Sequence, residues 1–576
     1  MPSISILPDS LINKIAAGEV IERPASVVRE LTDNSIDAGA TRIEIEILDG
    51  GKKFIKVSDN GTGMERADAL LCFKRHATSK ISSEDDLFNL STLGFRGEAL
   101  SAIASVSKIT LTTALSGSDT GTRIEVIPGR KDEVKDAPPA AGTTVETEDL
   151  FYNTPARRKF LKRTPTELYH IIETVIQKAF AYPSISFSLK HNRNEVLNVP
   201  VSGSLKDRFT SLYGKEFADE FFEIKGKGPG IRLYGFSSFT SFTRSARNHQ
   251  FIIINRRPVK NPTVSHAVYN VYKGLIPKGR HPAYFIFLDI DPERVDVNVH
   301  PAKREVRFEK PDEIHRLVES AVYASLDSEN VKAVSHTGSP AMPSADKMSR
   351  AYDYKVPDQP AVSESASTHL DETQTDIFSS GLAPSVSRFF HLGESFFATV
   401  TDEGLLIIDQ HAAHERVLYE RLLGETSIEP EPLFLPMRVE LPAQEYNIVI
   451  KHRDFLNELG LNIDDFGANN VVVRALPGEL HRADIKGLIM DVASGIIEEE
   501  TSGIKSELGR DSLLKNIAAR LACHRSVRGS EPLNDEELTR LISDLYRTEE
   551  PGKCPHGRPT RILFSLDELN KMFKRK

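Results

Sequence analysis

Five short stretches in the first 310 residues carry side chains able to act on a nucleotide. Glu30 and Asn34 stand four apart, a few residues after Pro24. Proline suits the first turn of a helix, and the four-residue spacing puts both side chains on one helix face. A carboxylate there can orient or deprotonate water, and an amide oxygen can hold a hard cation. Asp59-Asn60-Gly61-Thr62-Gly63 follows the apolar run FIKVS, so an acid stands at a strand end beside glycines that let the backbone approach a flat ligand. Gly94-Phe95-Arg96-Gly97 precedes the helical run EALSAIASV. Glycines before a helix start leave backbone N–H groups free for phosphate oxygens. Gly142-Thr143 enters the strand TTVETEDLF, and Asn298-Val-His-Pro-Ala-Lys303 offers a mobile point charge. Each stretch alone has an ordinary reading as well: a solvated polar pair, a strand-exit turn, a capped helix.

A second constellation lies near the end of the chain. Asp409-Gln-His411 follows an apolar strand and opens a helix that carries Glu415. Asp409 suits the N-cap, and His411 and Glu415 are one turn apart on one face. Cys523 in LACHRSVRG and Cys554-Pro-His556 in KCPHGRPT add sulfur and imidazole. Zn²⁺ accepts such mixed N, S and O ligands, and Mn²⁺ favours the oxygens. Taken singly, His411 is also readable as a satisfied polar residue and Cys523 as a small core residue. The remaining cysteine, Cys72, reads as core.

The elements that must position these residues fall into four regions. At 576 residues the chain exceeds one compact core. Residues 1–205 alternate strands and helices; IEIEILDGGKKFIKVSD reads as a hairpin turning at Asp49-Gly50-Gly51. Residues 206–327 form a second α/β unit with strands IRLYGFSS, QFIIINRRPV and AYFIFLDI and a closing helix over 312–326. Residues 328–384 are rich in Ser, Pro, Ala and Asp without apolar periodicity, which predicts a disordered tether. At about 57 residues its root-mean-square span is about 40–45 Å. Residues 385–576 fold again, with FFATVTDEGLLIIDQ as a hairpin and HAAHERVLYERLL as a helix. The fold class is α/β (α+β) throughout.

Composition narrows the function. Apolar residues make up 39% and charged residues 27%, as in ordinary globular proteins. No apolar run reaches the length of a membrane span, and the first twenty residues lack the pattern of a secretory signal. Three cysteines make no disulfide framework and suit a reducing cytoplasm. With a net charge of −9, DNA contact must come from local basic surface. Arg157, Arg158, Lys159, Lys162 and Arg163 crowd one segment. Arg244, Arg247, Arg256, Arg257, Lys260, Lys273, Lys278 and Arg280 recur across the second unit. Without a base-reading motif, such surface predicts sequence-independent, salt-sensitive binding. Arg157, Arg158, Lys159 and Arg256 are the chosen candidates.

Taken together and in order, the five N-terminal stretches resemble the GHKL ATPases, the superfamily of gyrase, the ninety-kilodalton heat-shock chaperone and histidine kinases. Within it, KIAAGEVIERPASVVRELTDNSIDAGAT, RHATSKI, LGFRGEAL, LFYNTPARRKFL and VDVNVHPAKREVRF are similar to the MutL family of DNA mismatch repair. The resemblance implies an α/β sandwich with an ATP lid, a transducer domain, and a C-terminal dimerisation domain beyond the tether. It implies Glu30 as general base and Asn34 as Mg²⁺ ligand. Asp59 becomes the adenine reader, with Gly61, Gly63 and Thr143 around the base. Lys80, Gly94, Phe95, Arg96, Gly97 and Lys303 fall to the phosphates. One local variation, Thr32-Asp33, leaves Glu30 and Asn34 in place.

The C-terminal runs DQHAAHERVLYE, ACHR, CPHGRP and the final FKR resemble the endonuclease set of nicking family members. That resemblance implies Asp409, His411, Glu415, Cys523, Cys554 and His556 as a Zn²⁺ or Mn²⁺ cluster, with Asp409 and Glu415 catalytic. It implies a cytoplasmic homodimer acting on DNA with the mismatch-recognition protein MutS, through a ring that ATP closes and hydrolysis reopens. Nicking relatives also carry a Gln-led motif for the replication sliding clamp; here Glu431-Pro-Leu433-Phe-Leu435-Pro replaces the amide with a charge. The alternative is a matchmaker that hydrolyses ATP but does not nick, with zinc stapling the fold. No tyrosine-based cleavage motif supports a topoisomerase.

Overall fold

The computed structural model describes residues 20–80, 92–94, 97–277, 279–296, 306–336, 389–393, 395–424, 430–480, 484–502, 509–526 and 533–573. Phe95, Arg96, Lys278, Lys303 and most of the expected tether lie outside them.

The first domain is an eight-stranded sheet faced by helices. α1 (Pro24–Asp37) starts on its proline and buries Val27, Val28, Leu31, Thr32 and Ser35. The mid-helix Thr32 hydroxyl is satisfied locally by the Val28 and Arg29 carbonyls. β1 (Arg42–Leu48) and β2 (Phe54–Asp59) form the expected hairpin, with Ile43 opposite Asp59 and Leu48 opposite Phe54. α2 (Ala99–Val106), β3 (Lys108–Ala114), β4 (Gly121–Val126), β5 (Glu133–Ala137) and β6 (Gly142–Glu148) follow. α3 (Pro155–Phe160) and α4 (Thr164–Ala181) lead to β7 (Ser186–His191) and β8 (Asn194–Val199). The strand order is β5-β4-β3-β6-β2-β1-β7-β8. On β1 the alternation is clean: Ile43, Ile45 and Ile47 are buried, each contributing about 1.5–3 kcal/mol relative to exposure.

The second domain carries β9 (Phe221–Gly228), β10 (Ile231–Ser238), β11 (Gln250–Ile254), β12 (Arg257–Val259) and β13 (Tyr284–Ile290), ordered β12-β11-β13-β10-β9. α5 (Pro262–Tyr272) and α6 (Pro311–His336) pack on it, joining one apolar core that includes Ile252, Val268, Ile286 and Val318. α6 runs past the expected end at 326, so the first residues assigned to the tether are helical.

Contacts divide the chain into two compact units: 1–326 with 427–517, and 327–426 with 518–576. The second unit contains β14 (Phe389–Leu392), β15 (Phe396–Thr401), β16 (Gly404–Asp409) and α7 (Gln410–Gly424). The first unit gains β17 (Pro430–Glu440), α8 (Ala443–Lys451), β18 (Asn462–Gly467), β19 (Asn470–Pro477) and α9 (Ile485–Ser502), with β17-β19-β18 as a separate sheet. After α10 (Gly509–Ser526), the second unit closes with α11 (Asp535–Tyr546) and β20 (Arg561–Ser565). Its sheet runs β14-β15-β16-β20. One face packs Phe397, Leu406 and Ile408 against Leu538, Leu541, Ile542 and Leu545 of α11. The other face leaves Phe390, Leu392, Phe396, Val400 and Ile562 about half exposed. Among the described residues, no helix is long and apolar enough to cross a membrane.

Candidate nucleotide pocket and metal centre

The first unit encloses a cavity of about 1180 Å³. Glu30 and Asn34 of α1, Asp59 at the end of β2, Gly63, Lys80, Gly94, Gly97 and Thr143 all line it. The apolar stripe of α1 faces the sheet, so its Glu30–Asn34 face is left for the cavity. Asp59 is held from three sides. Ser35 Oγ donates to Oδ2 at 2.7 Å, and the N–H groups of Gly61 and Thr143 donate to Oδ1 at 2.9 and 3.2 Å. Gly61 therefore orients the carboxylate rather than lining the cavity itself. Gly63 has φ +73°, and a Cβ there would fall 2.0 Å from the Ala114 carbonyl oxygen. No residue with a side chain fits that close approach. Gly97 (φ +62°) is equally constrained against Ala77, just before the N-terminus of α2.

Around Glu30 and Lys80, the polar groups of the pocket fall into two hydrogen-bonded sets. Glu30 Oε1 accepts from Arg29 at 3.3 Å. The Lys80 ammonium donates to Asn34 Oδ1 at 2.9 Å and to Asp37 Oδ2 at 2.6 Å. Asp37 also accepts from the backbone N–H groups of Leu93 and Gly94, at 3.0 and 3.1 Å. Asp37 was not singled out from the sequence; its position three beyond Asn34, on the same helix face, is the signal that marks it. Asp33, beside the base, pairs with the buried Lys178 of α4. An oxygen cluster already holding one cation fits a magnesium ion beside a triphosphate. Cys72 lies at this cavity rather than in the core; burial pushes its thiol up to about 12.

In the second unit, Glu415, Cys554 and His556 converge, with one ligand atom from each within 4.8 Å of the others. Glu415 and Cys554 are almost wholly buried, and His556 Nδ1 stands 3.3 Å from Glu415 Oε2. Hydrogen bonding to Cys554 and then Glu415 raises the His556 imidazole to about 9. Burial pushes the Glu415 carboxyl up, but His556, Arg558 and Cys554 together outweigh it and hold it low. Burial lowers His411, against the pull of Glu415 and Asp409. One sulfur, one nitrogen and one oxygen donor fit a zinc ion.

Of the three other expected ligands, Asp409 and His411 stand apart from this group and Cys523 is outside the described side chains. Asp409 spends Oδ1 capping α7, accepting from the N–H groups of His411 and Ala412 at 2.9 and 3.0 Å. Cys523 lies on α10. Two further residues, Arg416 and Glu420, hold the loop that carries Cys554. Arg416 Nε donates to the Lys553 carbonyl at 2.5 Å, and its Nη atoms reach Glu420 and Glu550 at 3.2 and 3.3 Å. Glu420 accepts from the N–H groups of Glu549 and Glu550, at 2.6 and 3.2 Å. Arg416 was not singled out from the sequence, because its loop partners Glu550 and Lys553 lie about 130 residues away.

The basic candidates separate by exposure. Arg158 and Lys159 are exposed on α3, Arg157 is half-buried, and Phe160 beside them is exposed. Arg256 is exposed at the β11–β12 turn, where Asn255 and Arg256 both have positive φ, as a two-residue hairpin requires. Arg244 and Arg257 are buried, and Arg280 is paired with Asp491; these leave the DNA candidates. In β17 the register shifts between Pro432 and Met437, and Phe434 and Leu435 stand almost free in solvent.

The pocket and its sandwich define an ATPase of the GHKL class. Residues 21–146 match the family of histidine kinase-, DNA gyrase B- and HSP90-like ATPases. Residues 209–327 match the DNA mismatch repair protein C-terminal domain, and 390–533 match the MutL C-terminal dimerisation domain. The chain is 41% identical to a DNA mismatch repair protein MutL of Thermodesulfovibrio yellowstonii, covering all of both chains. It is 38% identical to one of Syntrophotalea carbinolica over 99% of each, and 36% to one of Rhizobium rhizogenes over all of both. The chain belongs to the MutL family of DNA mismatch-repair proteins.

Proposed function

We propose that this protein is an ATP-gated homodimer that nicks DNA at its C-terminal metal centre when mismatch recognition by MutS directs it. The observation that carries the nicking is the convergence of Glu415, Cys554 and His556 in a chain whose other unit holds the nucleotide cavity. Glu30 takes the proton of the water that attacks the terminal phosphate, and Asp59 receives the adenine amine. Asn34 holds magnesium, which when bound offsets phosphate charge. Lys80 and the backbone between Gly94 and Gly97 receive the phosphates, joined by Phe95, Arg96 and Lys303, which lie outside the described residues. At the other centre, Glu415, Cys554 and His556 hold zinc, a Lewis acid for phosphodiester hydrolysis. Asp409 supplies a carboxylate oxygen beside the bound backbone.

The exposed face bearing Phe390, Leu392, Phe396, Val400 and Ile562 receives a second copy of the chain. Its apolar content suits a permanent interface, and the match to a dimerisation domain supports it. Arg158, Lys159 and Arg256, with Arg157, contact phosphates without reading bases. The protruding Phe434 and Leu435 offer apolar contacts for a sliding clamp despite Glu431. The protein works in the cytoplasm on chromosomal DNA.

One observation favours a second reading, a matchmaker that does not nick and carries structural zinc. Asp409 already serves as a helix cap, and the clustered donors are mostly buried. Asp409→Asn separates the two, because asparagine caps as well as aspartate but lacks the charge. With Mn²⁺, the wild type converts supercoiled plasmid to open circles, and Asp409→Asn loses this at least 100-fold with unchanged melting. A wild type that leaves plasmid intact under all metal and clamp conditions establishes the matchmaker instead.

A further inference from the structure

The α/β piece from β17 to α9 is folded against both N-terminal domains by polar groups, of which Glu445, His249, Asp491 and Ser494 are buried. Glu445 of α8 is completely buried, 3.1 Å from Nε2 of the equally buried His249. Asp491 of α9 accepts from Arg280 Nη1 at 2.5 Å, while Arg280 also donates to the Thr243 carbonyl at 2.8 Å. Asn248 Nδ2 donates to Ser494 Oγ at 3.3 Å, and Lys486 donates to Glu216 at 2.6 Å. Arg244, buried against the rings of Phe217 and Phe242, feels both Asp491 and Glu445. These contacts engage the second domain. On the first domain, α8 and α9 lie against α4, and Thr166 donates to the Glu500 carbonyl at 3.5 Å.

The same helix reaches the nucleotide cavity. Thr501, in the last turn of α9, lines it together with Glu173, Thr174, Gln177 and Lys178 of α4. Lys178 in turn pairs with Asp33, one residue before Asn34. A piece distant in sequence therefore completes a wall of the pocket and joins the two domains that flank it. The contact differs in kind from a permanent core. A buried charge such as Asp491 is costly to leave without its partner, so the Arg280–Asp491 pair ties docking to both residues.

We infer that residues 430–502 form a detachable brake: docked through His249–Glu445 and Arg280–Asp491, the piece restrains the nucleotide pocket and slows ATP turnover. Release frees α4 and the mouth of the cavity. Arg280 then becomes available to phosphate, so DNA and the docked piece compete for the same cation. The inference rests on the ATPase reading for its consequence, but the docking itself does not.

The test uses the full chain with Asn248→Cys and Ser494→Cys, joined by a short bis-maleimide and located by mass spectrometry. A control pairs Asn248→Cys with Asp454→Cys, an exposed position. Docking predicts cross-linking at least fivefold above the control, and a linked protein that hydrolyses ATP at least fivefold more slowly than its unlinked counterpart. Arg280→Glu lowers linking and raises turnover, and Arg280→Glu with Asp491→Arg restores both, which separates release from misfolding. Linking no better than the control overturns the docking. Full ATP turnover in the linked protein overturns the brake. Absence of hydrolysis in every variant, with linking intact, counts against the ATPase reading and removes the brake with it, leaving the docking.

Discussion

In the nucleotide pocket, the oxygens suited to a cation are already satisfied. Asn34 Oδ1 and Asp37 share the Lys80 ammonium, and Asp37 also takes two backbone N–H groups. In the metal centre, the ligand atoms of Glu415, Cys554 and His556 converge on one another; Arg416 is spent on the loop that carries Cys554. One site must exchange an internal cation for an external one, whereas at the other the ligands already converge and an ion need displace only the protons that they share. An exchanging site suits a ligand that comes and goes with each cycle. A prepared site suits an ion that stays.

The largest effect that sharpens this contrast is the loss of the base. Glu30→Ala is expected to cut ATP hydrolysis by about 10²–10⁴-fold while nucleotide binding persists, measured by steady-state turnover beside equilibrium binding. Basal plasmid nicking should stay within twofold, since the two centres belong to different units. Retained hydrolysis removes Glu30 from the mechanism, and a parallel collapse of nicking makes the sites one machine rather than two. Next in size is Glu420→Ala, which strips two backbone N–H groups and Arg416 of their partner. Outer partners of metal sites typically contribute about 10–100-fold to affinity, so zinc should bind about that much more weakly in a competitive chelator titration. Unchanged affinity would mean that the loop carrying Cys554 holds its shape alone, and that the preparation lies elsewhere.

The sequence made some of this legible and hid the rest for a physical reason. The hairpin at 43–59 was readable because alternation and an Asp-Gly-Gly turn are local signals, and its register brings Asp59 to Thr143 on β6. Glu30 and Asn34 share a face because helical spacing is local too. Asp37 sits on that same face but was passed over, since its role depends on Lys80, which arrives from 43 residues away. The helix cap at Asp409 was readable from type and position; that Asp409 stands apart from the converging ligand atoms was not. The extension of α6 to His336 follows no apolar stripe strong enough to mark it. Least legible was the placement of 427–517 with the N-terminal domains. Buried pairs such as His249–Glu445 join residues almost 200 apart and leave no local pattern.

The smallest expected effect probes the exchange itself. A magnesium ion at Asn34 cannot share the space with an ammonium: a divalent and a monovalent cation about 4 Å apart repel by about 8 kcal/mol at an effective dielectric of about 20. On the proposed reading, Lys80 would leave Asp37 as the ion is held, and the freed ammonium would turn to the phosphates. The Asp37 carboxylate is largely buried and Lys80 only partly exposed, so breaking the pair costs at least the value for a surface pair, about 1 kcal/mol, which corresponds to about a fivefold change in an equilibrium constant. Lys80→Met keeps the stem and removes the charge. Magnesium should then half-saturate nucleotide binding at about fivefold lower concentration, read by fluorescence titration with a slowly hydrolysed analogue. Affinity for the metal-free nucleotide should fall, because the phosphate contact is lost. If the magnesium requirement instead rises or stays put, Lys80 serves the phosphates alone, and the contrast between an exchanging site and a prepared one fails at its first site.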